Sequence, residues 1–292
     1  MLGTSSFGTT ARGFPVYDEY WERGGRAFDT AWIYGFAFGP GCCERVLGEW
    51  LGRRAVSNEA FVLVKGAHTP ECRPDRIEKQ LTESLDRLGL GSCSLYMLHR
   101  DDPAVPVAEF VSVLESLRRA GCIQAYGFSN WSRPRFAEAL DAARSQGLPT
   151  PTSVSNHASL MEMTSPIYEG TVDANDSEWW SWLRREDLVL MPWASQGRGS
   201  LAVTPDDWVS DEGLRNHWSS DANNQRWRRA DQLATEREVS RTALGLAWVL
   251  RLPCRVRPII GPRTVDELTD SLTGLEITLS SDEWRWLRDG AV

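Results

Sequence analysis

A chain of 292 residues that is 41% hydrophobic and 25% charged has globular composition and enough apolar material for a full core, which excludes wholesale disorder. Forty acidic residues against 32 basic ones leave a formal charge of −8, which argues against a nucleic-acid binder, since that function needs a basic face. No apolar run approaches the roughly 18 residues of a membrane span; the nearest, 242–252, is broken by Arg251.

In chain order, short apolar or β-branched runs predict strands at 2–5, 25–29, 61–65, 93–98, 122–127, 152–155, 187–191 and 256–260. Between them Glu44–Arg53, Pro74–Leu88, Val107–Ala120 and Pro134–Gln146 carry apolar residues at helical spacing. Pro74 and Pro134 stand where a first helical turn tolerates proline. Eight strands alternating with helices, without a break in composition, predict an α/β fold: a single (β/α)8 TIM barrel over residues 1–292. Two longer connections, 157–176 and 193–224, interrupt the alternation, and in a barrel they would lie on the face that carries chemistry.

The six cysteines form no CxxC pair and no His stands at zinc-ligand spacing, so no metal site is expected. The start, MLGTSSFGTTAR, lacks a basic segment followed by an apolar one. The chain therefore reads as cytoplasmic, with reduced thiols, no membrane or nucleic-acid partner, and an oligomeric state the sequence does not encode legibly.

Polar residues just past barrel strands are the candidates for catalysis. Strand two ends in Asp29-Thr30-Ala31-Trp32-Ile33-Tyr34-Gly35, strand three in Lys65-Gly66, and strand four in His99-Arg100-Asp101. Only two lysines occur, Lys65 and Lys79, and Lys65 follows four apolar residues. Singly, each has an ordinary role: Asp29 as a helix cap, Tyr34 as packing, Lys65 as a strand-edge charge, His99 as a core histidine. Together on adjacent strands they form a proton-transfer set. A tyrosine titrates near 10, a neighbouring ammonium pulls that value down, an aspartate keeps the lysine charged, and a histidine polarises a carbonyl.

At this point the chain resembles the aldo-keto reductase superfamily. FDTAWIYG (28–35) is similar to its Asp-Thr-Ala-x-x-Tyr-Gly signature, VLVKG (62–66) to its lysine strand and LYMLHR (95–100) to its histidine strand. GFSN (127–130) is similar to the end of its fifth strand, and IIGPRTVDELTDSL (259–272) to its cofactor-binding tail. The resemblance runs in order through almost the whole chain. It implies Tyr34 as general acid, assisted by Asp29, Lys65 and His99, in an NADP-dependent oxidoreductase that reduces an aldehyde or ketone to an alcohol. The implied cofactor is NADPH, with NADH possible. An N-terminal hairpin common in that family is expected to be absent or shortened.

The same resemblance implies cofactor contacts at Ser129, Asn130, Asn156, Trp193, Ser195, Gln196, Gly197, Arg198, Gly261, Arg263, Glu267 and Ser271. Gly-x-Gly occurs at 39–41, 89–91 and 197–199 but never extends to GxGxxG, so a Rossmann-type site lacks support. His157 stands where the family has glutamine, and Trp193 where it commonly has tyrosine. Trp32, Phe36, Phe38, Arg100 and Trp131 are the expected lining for a small-molecule carbonyl substrate. A cofactor-binding regulatory or redox-sensing subunit with little turnover is the alternative.

Overall fold

The alternation of apolar runs and amphipathic stretches becomes eight strands and twelve helices among residues 1–35 and 39–290, the residues described by the computed structural model. Strand order in the sheet equals order in the chain, β1 to β8. The chain divides into two compact units, Met1–Ser155 with Gly261–Val265, and Asn156–Ile260 with Asp266–Val292.

The first unit contains β1 (Leu2–Gly3), β2 (Ala27–Ala31), β3 (Phe61–Gly66), β4 (Cys93–Leu98), β5 (Ile123–Ser129) and β6 (Ser153–Ser155). All adjacent pairs from β1 to β6 are parallel. Helices α1 (Thr10–Glu22), α2 (Cys42–Arg54), α3 (Pro74–Leu88), α4 (Val107–Arg119) and α5 (Arg133–Ser145) separate them. Alternate strand residues Phe28, Val62, Val64, Tyr96, Leu98, Tyr126 and Phe128 are buried, and their shared register puts them on one face. Helix α1 packs there through Tyr17, whose ring meets Phe28 and Trp50 edge-on at 5.7 and 5.6 Å. Helix α3 begins with Pro74 and ends before Gly89, which takes the left-handed conformation.

The second unit holds β7 (Val189–Leu190), β8 (Arg255–Val256), α6 (Ser177–Arg185), α7 (Pro205–Ser210), α8 (Glu212–Trp218), α9 (Asp221–Glu236), α10 (Arg241–Leu250) and α12 (Ser281–Asp289). Helix α11 (Val265–Thr273) begins at the last residue of the first unit's segment and continues in the second. Strand β8 is shorter than the predicted 256–260. Pro258 has no N–H for a ladder, yet Arg257 N and Ile259 N still bond Leu190 O and Pro192 O at 2.8 and 3.0 Å. Nor is 193–224 an irregular connection: it contains α7 and α8, the former started by a Thr204–Asp207 capping box.

Tryptophans are packing elements here. Trp248 and Trp284 stack at 5.3 Å, and each indole N–H donates to the other residue's carbonyl at 3.0 Å, fastening α10 to α12. Among the described residues no helix is long and apolar enough to cross a membrane.

Candidate active site

Ladder register explains how the first unit gathers its polar side chains. Asp29 pairs with Leu63, Ala31 with Lys65, Lys65 with Met97, Met97 with Gly127, and Ser129 with Ser155. Asp29, Lys65 and Ser129 therefore share the face opposite Phe28 and Val64, and His99 continues it two residues beyond Met97. Tyr34 arrives from the turn after β2, where its N–H bonds Ala31 O at 2.9 Å.

The four side chains are in contact. Lys65 Nζ lies 2.6 Å from Asp29 Oδ1, with both side chains almost fully buried. Tyr34 OH points at Asp29 Oδ2 at 3.5 Å, the long limit of a hydrogen bond. Lys65 Nζ is 5.4 Å from the centre of the Tyr34 ring. The Tyr34 and His99 rings meet edge to face at 5.7 Å.

Burial dominates the titration of this cluster. It pushes the Tyr34 phenol up to about 12; the Asp29 charge adds to that, while Lys65, by charge and hydrogen bond, and then Arg100 oppose it. Lys65 thus pulls as the sequence suggested, but desolvation is larger and the net direction is upward. Burial also raises Asp29 against the pull of Lys65. It pulls Lys65 down, but Asp29 and Tyr34 more than offset this and hold the ammonium above its ordinary value. His99 is driven well below its ordinary value by burial and then by the Lys65 and Arg100 charges, so it is neutral at pH 7.

Ser129 and Asn130 form a buried pair. Ser129 Oγ donates to Ser155 O at 2.8 Å, and Asn130 Nδ2 reaches Ser129 Oγ at 3.0 Å and His99 O at 3.4 Å. Asn130 has φ +58°, a left-handed conformation that asparagine tolerates better than most residues. Arg100 is buried and donates from Nη1 to His99 O at 2.8 Å. The half-buried Trp32 donates from its indole to Glu83 at 2.7 Å. Trp131 is fully buried, stacked on Phe128 at 4.0 Å, and its indole donates to Arg100 O at 3.1 Å. It supports Arg100 instead of lining a pocket. Phe36 and Phe38 lie outside the described residues.

Sequence reasoning missed His68, whose ring meets that of His99 edge to face at 5.1 Å. A histidine in a loop carries no periodic signal; its one clue was a place three residues after Lys65.

In the second unit Asn156 is fully buried. His157 lies 5.2 Å from the Trp193 ring and 5.5 Å from Trp218, with Nδ1 3.0 Å from Asp173. Ser195 Oγ donates to Ile259 O at 2.7 Å. Gly197, Arg198 and Gly199 all have positive φ and form a tight 3-10 turn, and Arg198 Nη2 donates to Tyr168 OH at 3.0 Å. Gln196 Nε2 bonds Ser271 Oγ at 3.0 Å and Thr242 O at 3.3 Å, which ties the turn to α10 and α11. Glu267 O accepts from Ser271 Oγ at 2.8 Å. A cleft of about 430 Å³ opens beside this junction, lined in part by Leu201, Ser240, Thr242 and Asp270. Gly261 and Arg263 belong to the exposed turn before α11.

These residues suit a nicotinamide dinucleotide. Asp29, Tyr34, Lys65 and His99 can exchange protons but hold no hydride to give, so a reduction at this site would draw its hydride from a separate donor. His99 Nδ1 is buried without a hydrogen-bond partner among the described residues, a polar group left for a bound molecule to satisfy.

Comparison with known proteins finds oxidoreductases that match over most of the chain. An oxidoreductase of Bacillus subtilis (strain 168), YrpG, is 28% identical over 99% of this chain and 90% of its own. The 6-dehydroglucose reductase of Novosphingobium aromaticivorans is 26% identical over 90% of this chain and 80% of its own. The aldo-keto reductase yakc [NADP(+)] of Schizosaccharomyces pombe is 25% identical over 90% of this chain and 77% of its own. A thermostable aldo-keto reductase solved with the inhibitor epalrestat superimposes with a TM-score of 0.76 at 20% identity, over 98% of this chain and 93% of that one. The fold is therefore the (β/α)8 barrel of these enzymes. The profile of the aldo/keto reductase family matches residues 1–289, and the chain belongs to that family.

Proposed function

We propose that this chain, acting as one domain over residues 1–292, is an NADP-dependent reductase of aldehydes or ketones in which Tyr34 is the general acid. The observation that carries the reading is the contact chain from Lys65 Nζ through the Asp29 carboxylate to Tyr34 OH, closed by the Tyr34–His99 edge contact.

Carbonyl reduction leaves negative charge on oxygen, and the site is arranged to receive it. Tyr34, held at about 12 by burial, keeps its proton until an alkoxide of higher basicity develops beside it, and then gives it up. The Lys65 ammonium stabilises the phenolate that remains, and Asp29 keeps that ammonium in place. Neutral His99 donates a hydrogen bond from a ring N–H to the same oxygen, as pre-positioned donors do in a water-poor site. When bound, the nicotinamide dinucleotide supplies the electron pair that reduces the carbonyl carbon. Ser129, Asn130, Asn156 and Trp193 would hold its nicotinamide end. Ser195, Gln196, Gly197, Arg198 and Gly261 would meet its phosphates, and Arg263, Glu267 and Ser271 its adenosine end. Trp32 and Arg100 remain the candidates for contact with substrate, joined by His68.

Fluorescence titration with NADPH and NADH, followed by a panel of carbonyl compounds monitored by cofactor absorbance, tests this reading. Micromolar NADPH binding with turnover of at least one aldehyde or ketone is expected. Cofactor binding without turnover of any carbonyl would favour a regulatory subunit instead.

A further inference from the structure

Cys42 and Cys43 open α2 and take no part in the Tyr34 site. Cys42 is 9% exposed and Cys43 fully covered. Their sulfurs converge on the residue that follows Tyr34. Cys42 Sγ donates to Gly35 O at 3.2 Å and Cys43 Sγ to Ser5 O at 3.7 Å. Gly35 has φ +80°, and a methyl group placed on it would lie 2.2 Å from Cys42 Sγ and 2.8 Å from Cys43 Sγ. Two sulfurs this close to one point are separated by at most the sum of those distances, 5.0 Å.

Geometry chooses among the chemistries open to such a pair. A disulfide normally spans Cα atoms about 4.4–6.8 Å apart, whereas neighbours across a trans peptide are about 3.8 Å apart. A structural zinc takes four ligands, and no group of three or more His, Cys, Asp or Glu among the described residues is placed to hold a metal. A trivalent arsenic atom that already carries one organic group needs only two sulfurs. A pyramidal trivalent centre that bonds sulfur at about 2.3 Å, with its two sulfurs near a right angle, holds them roughly 3.3 Å apart, inside the bound set by Gly35, and the two side chains close onto it by rotating about their Cα–Cβ bonds.

We propose that Cys42 and Cys43 are a dithiol binding site for trivalent organoarsenicals of the type R–As=O, and that its occupancy shifts Gly35 and with it Tyr34. The exchange is a condensation. Two S–H bonds and the As=O bond break, two As–S bonds form, and both protons leave on the oxygen as one water. Arsenic stays trivalent and no electron is transferred. Burial pushes the Cys43 thiol up to about 12, so reagents that need a thiolate react slowly there; a condensation whose protons depart with oxygen escapes that barrier. A single carbon on Gly35 would already clash with both sulfurs, so arsenic and its organic group, entering on that side, displace the turn that carries Tyr34. That consequence for activity rests on Tyr34 being the acid. Formation of the bridge does not.

The test uses one equivalent of phenylarsine oxide on the intact protein, read by native mass and by carbonyl reduction. The expected result is one adduct, stable to a monothiol and removed by a 1,2-dithiol, with reduction lowered more than tenfold. Cys42→Ser and Cys43→Ala, checked for folding by circular dichroism, should each lose the adduct. Cys122→Ser should keep it, which separates this pair from Cys93 and Cys122, whose backbones are bonded at 3.1 Å. Absence of the adduct on the native protein, or its survival in either Cys42→Ser or Cys43→Ala, would overturn the site. An adduct that leaves reduction unchanged would overturn the coupling to Tyr34. A protein with no reductase activity would still give the mass result, so failure of the enzyme reading is distinguishable.

Discussion

Replacing Lys65 with Met removes the ammonium that touches Asp29 and faces the Tyr34 ring. Its Nζ lies 5.4 Å from the Tyr34 ring centre. With an effective dielectric of about 20, a unit charge at that distance is worth about 3 kcal/mol, or roughly two pKa units. Tyr34, already held at about 12, would rise further. Oxidation of an alcohol starts from phenolate, so its rate at a fixed pH on the rising limb should fall about 100-fold, and the limb should move upward by about two pH units. Reduction starts from protonated Tyr34 and loses only the share of proton transfer complete in the transition state, so it should suffer less. Asp29→Asn gives the opposite sign. Its carboxylate faces the phenol and raises its pKa, so the variant should move the oxidation limb downward, not upward as a role limited to holding Lys65 would imply. Lys65→Met also leaves a buried carboxylate without its partner, a loss of about 3–5 kcal/mol. The double variant Asp29→Asn/Lys65→Met removes that orphan and serves as the folding control. The assay is the rate in both directions against pH for one carbonyl–alcohol pair, with cofactor affinity measured alongside. An oxidation profile for Lys65→Met superimposable on that of the unaltered enzyme would show that the Lys65 charge does not act on Tyr34.

Three further outcomes are expected. Asn223 is fully buried and makes four bonds, to Glu162 N, Glu162 O, Trp218 O and Arg226; Asn223→Ala should cost about 3 kcal/mol or more in urea unfolding by stranding those groups. His99 has a depressed folded pKa, so the unfolded chain binds its proton first and stability should drop as pH falls below about 6.5; His99→Leu should flatten that slope in thermal melts. Arg263→Ala should weaken NADPH binding about 10- to 100-fold with little effect on NADH, as loss of a charge-assisted bond to a 2′-phosphate would.

Much of the barrel was legible because its early units are locally consistent. The apolar run at 93–98 and the Pro74–Leu88 periodicity became β4 and α3 with the same bounds. The late strands were legible in place but not in length: β7 and β8 are two residues each, and Pro258 has no N–H to carry the ladder through 256–260. Asp29, Tyr34, Lys65 and His99 stood out as polar residues ending apolar strands, and register alone brings three of them to one face. The direction of the Tyr34 shift was hidden, because desolvation depends on what covers the phenol, whereas the neighbouring lysine was visible in the letters. Trp131 looked like a mouth residue from its place after Asn130, but its indole turns inward to Arg100 O. His68 was concealed by its loop.

Single-turnover carbonyl reduction by Tyr34→Phe, with NADPH affinity titrated on the same sample, decides whether Tyr34 is the acid. Loss of a general acid is typically worth about 10²–10⁴-fold. Tyr34→Phe is expected to show a loss in that range with cofactor affinity and folding retained. A loss smaller than roughly tenfold would contradict it and remove Tyr34 from the acid role.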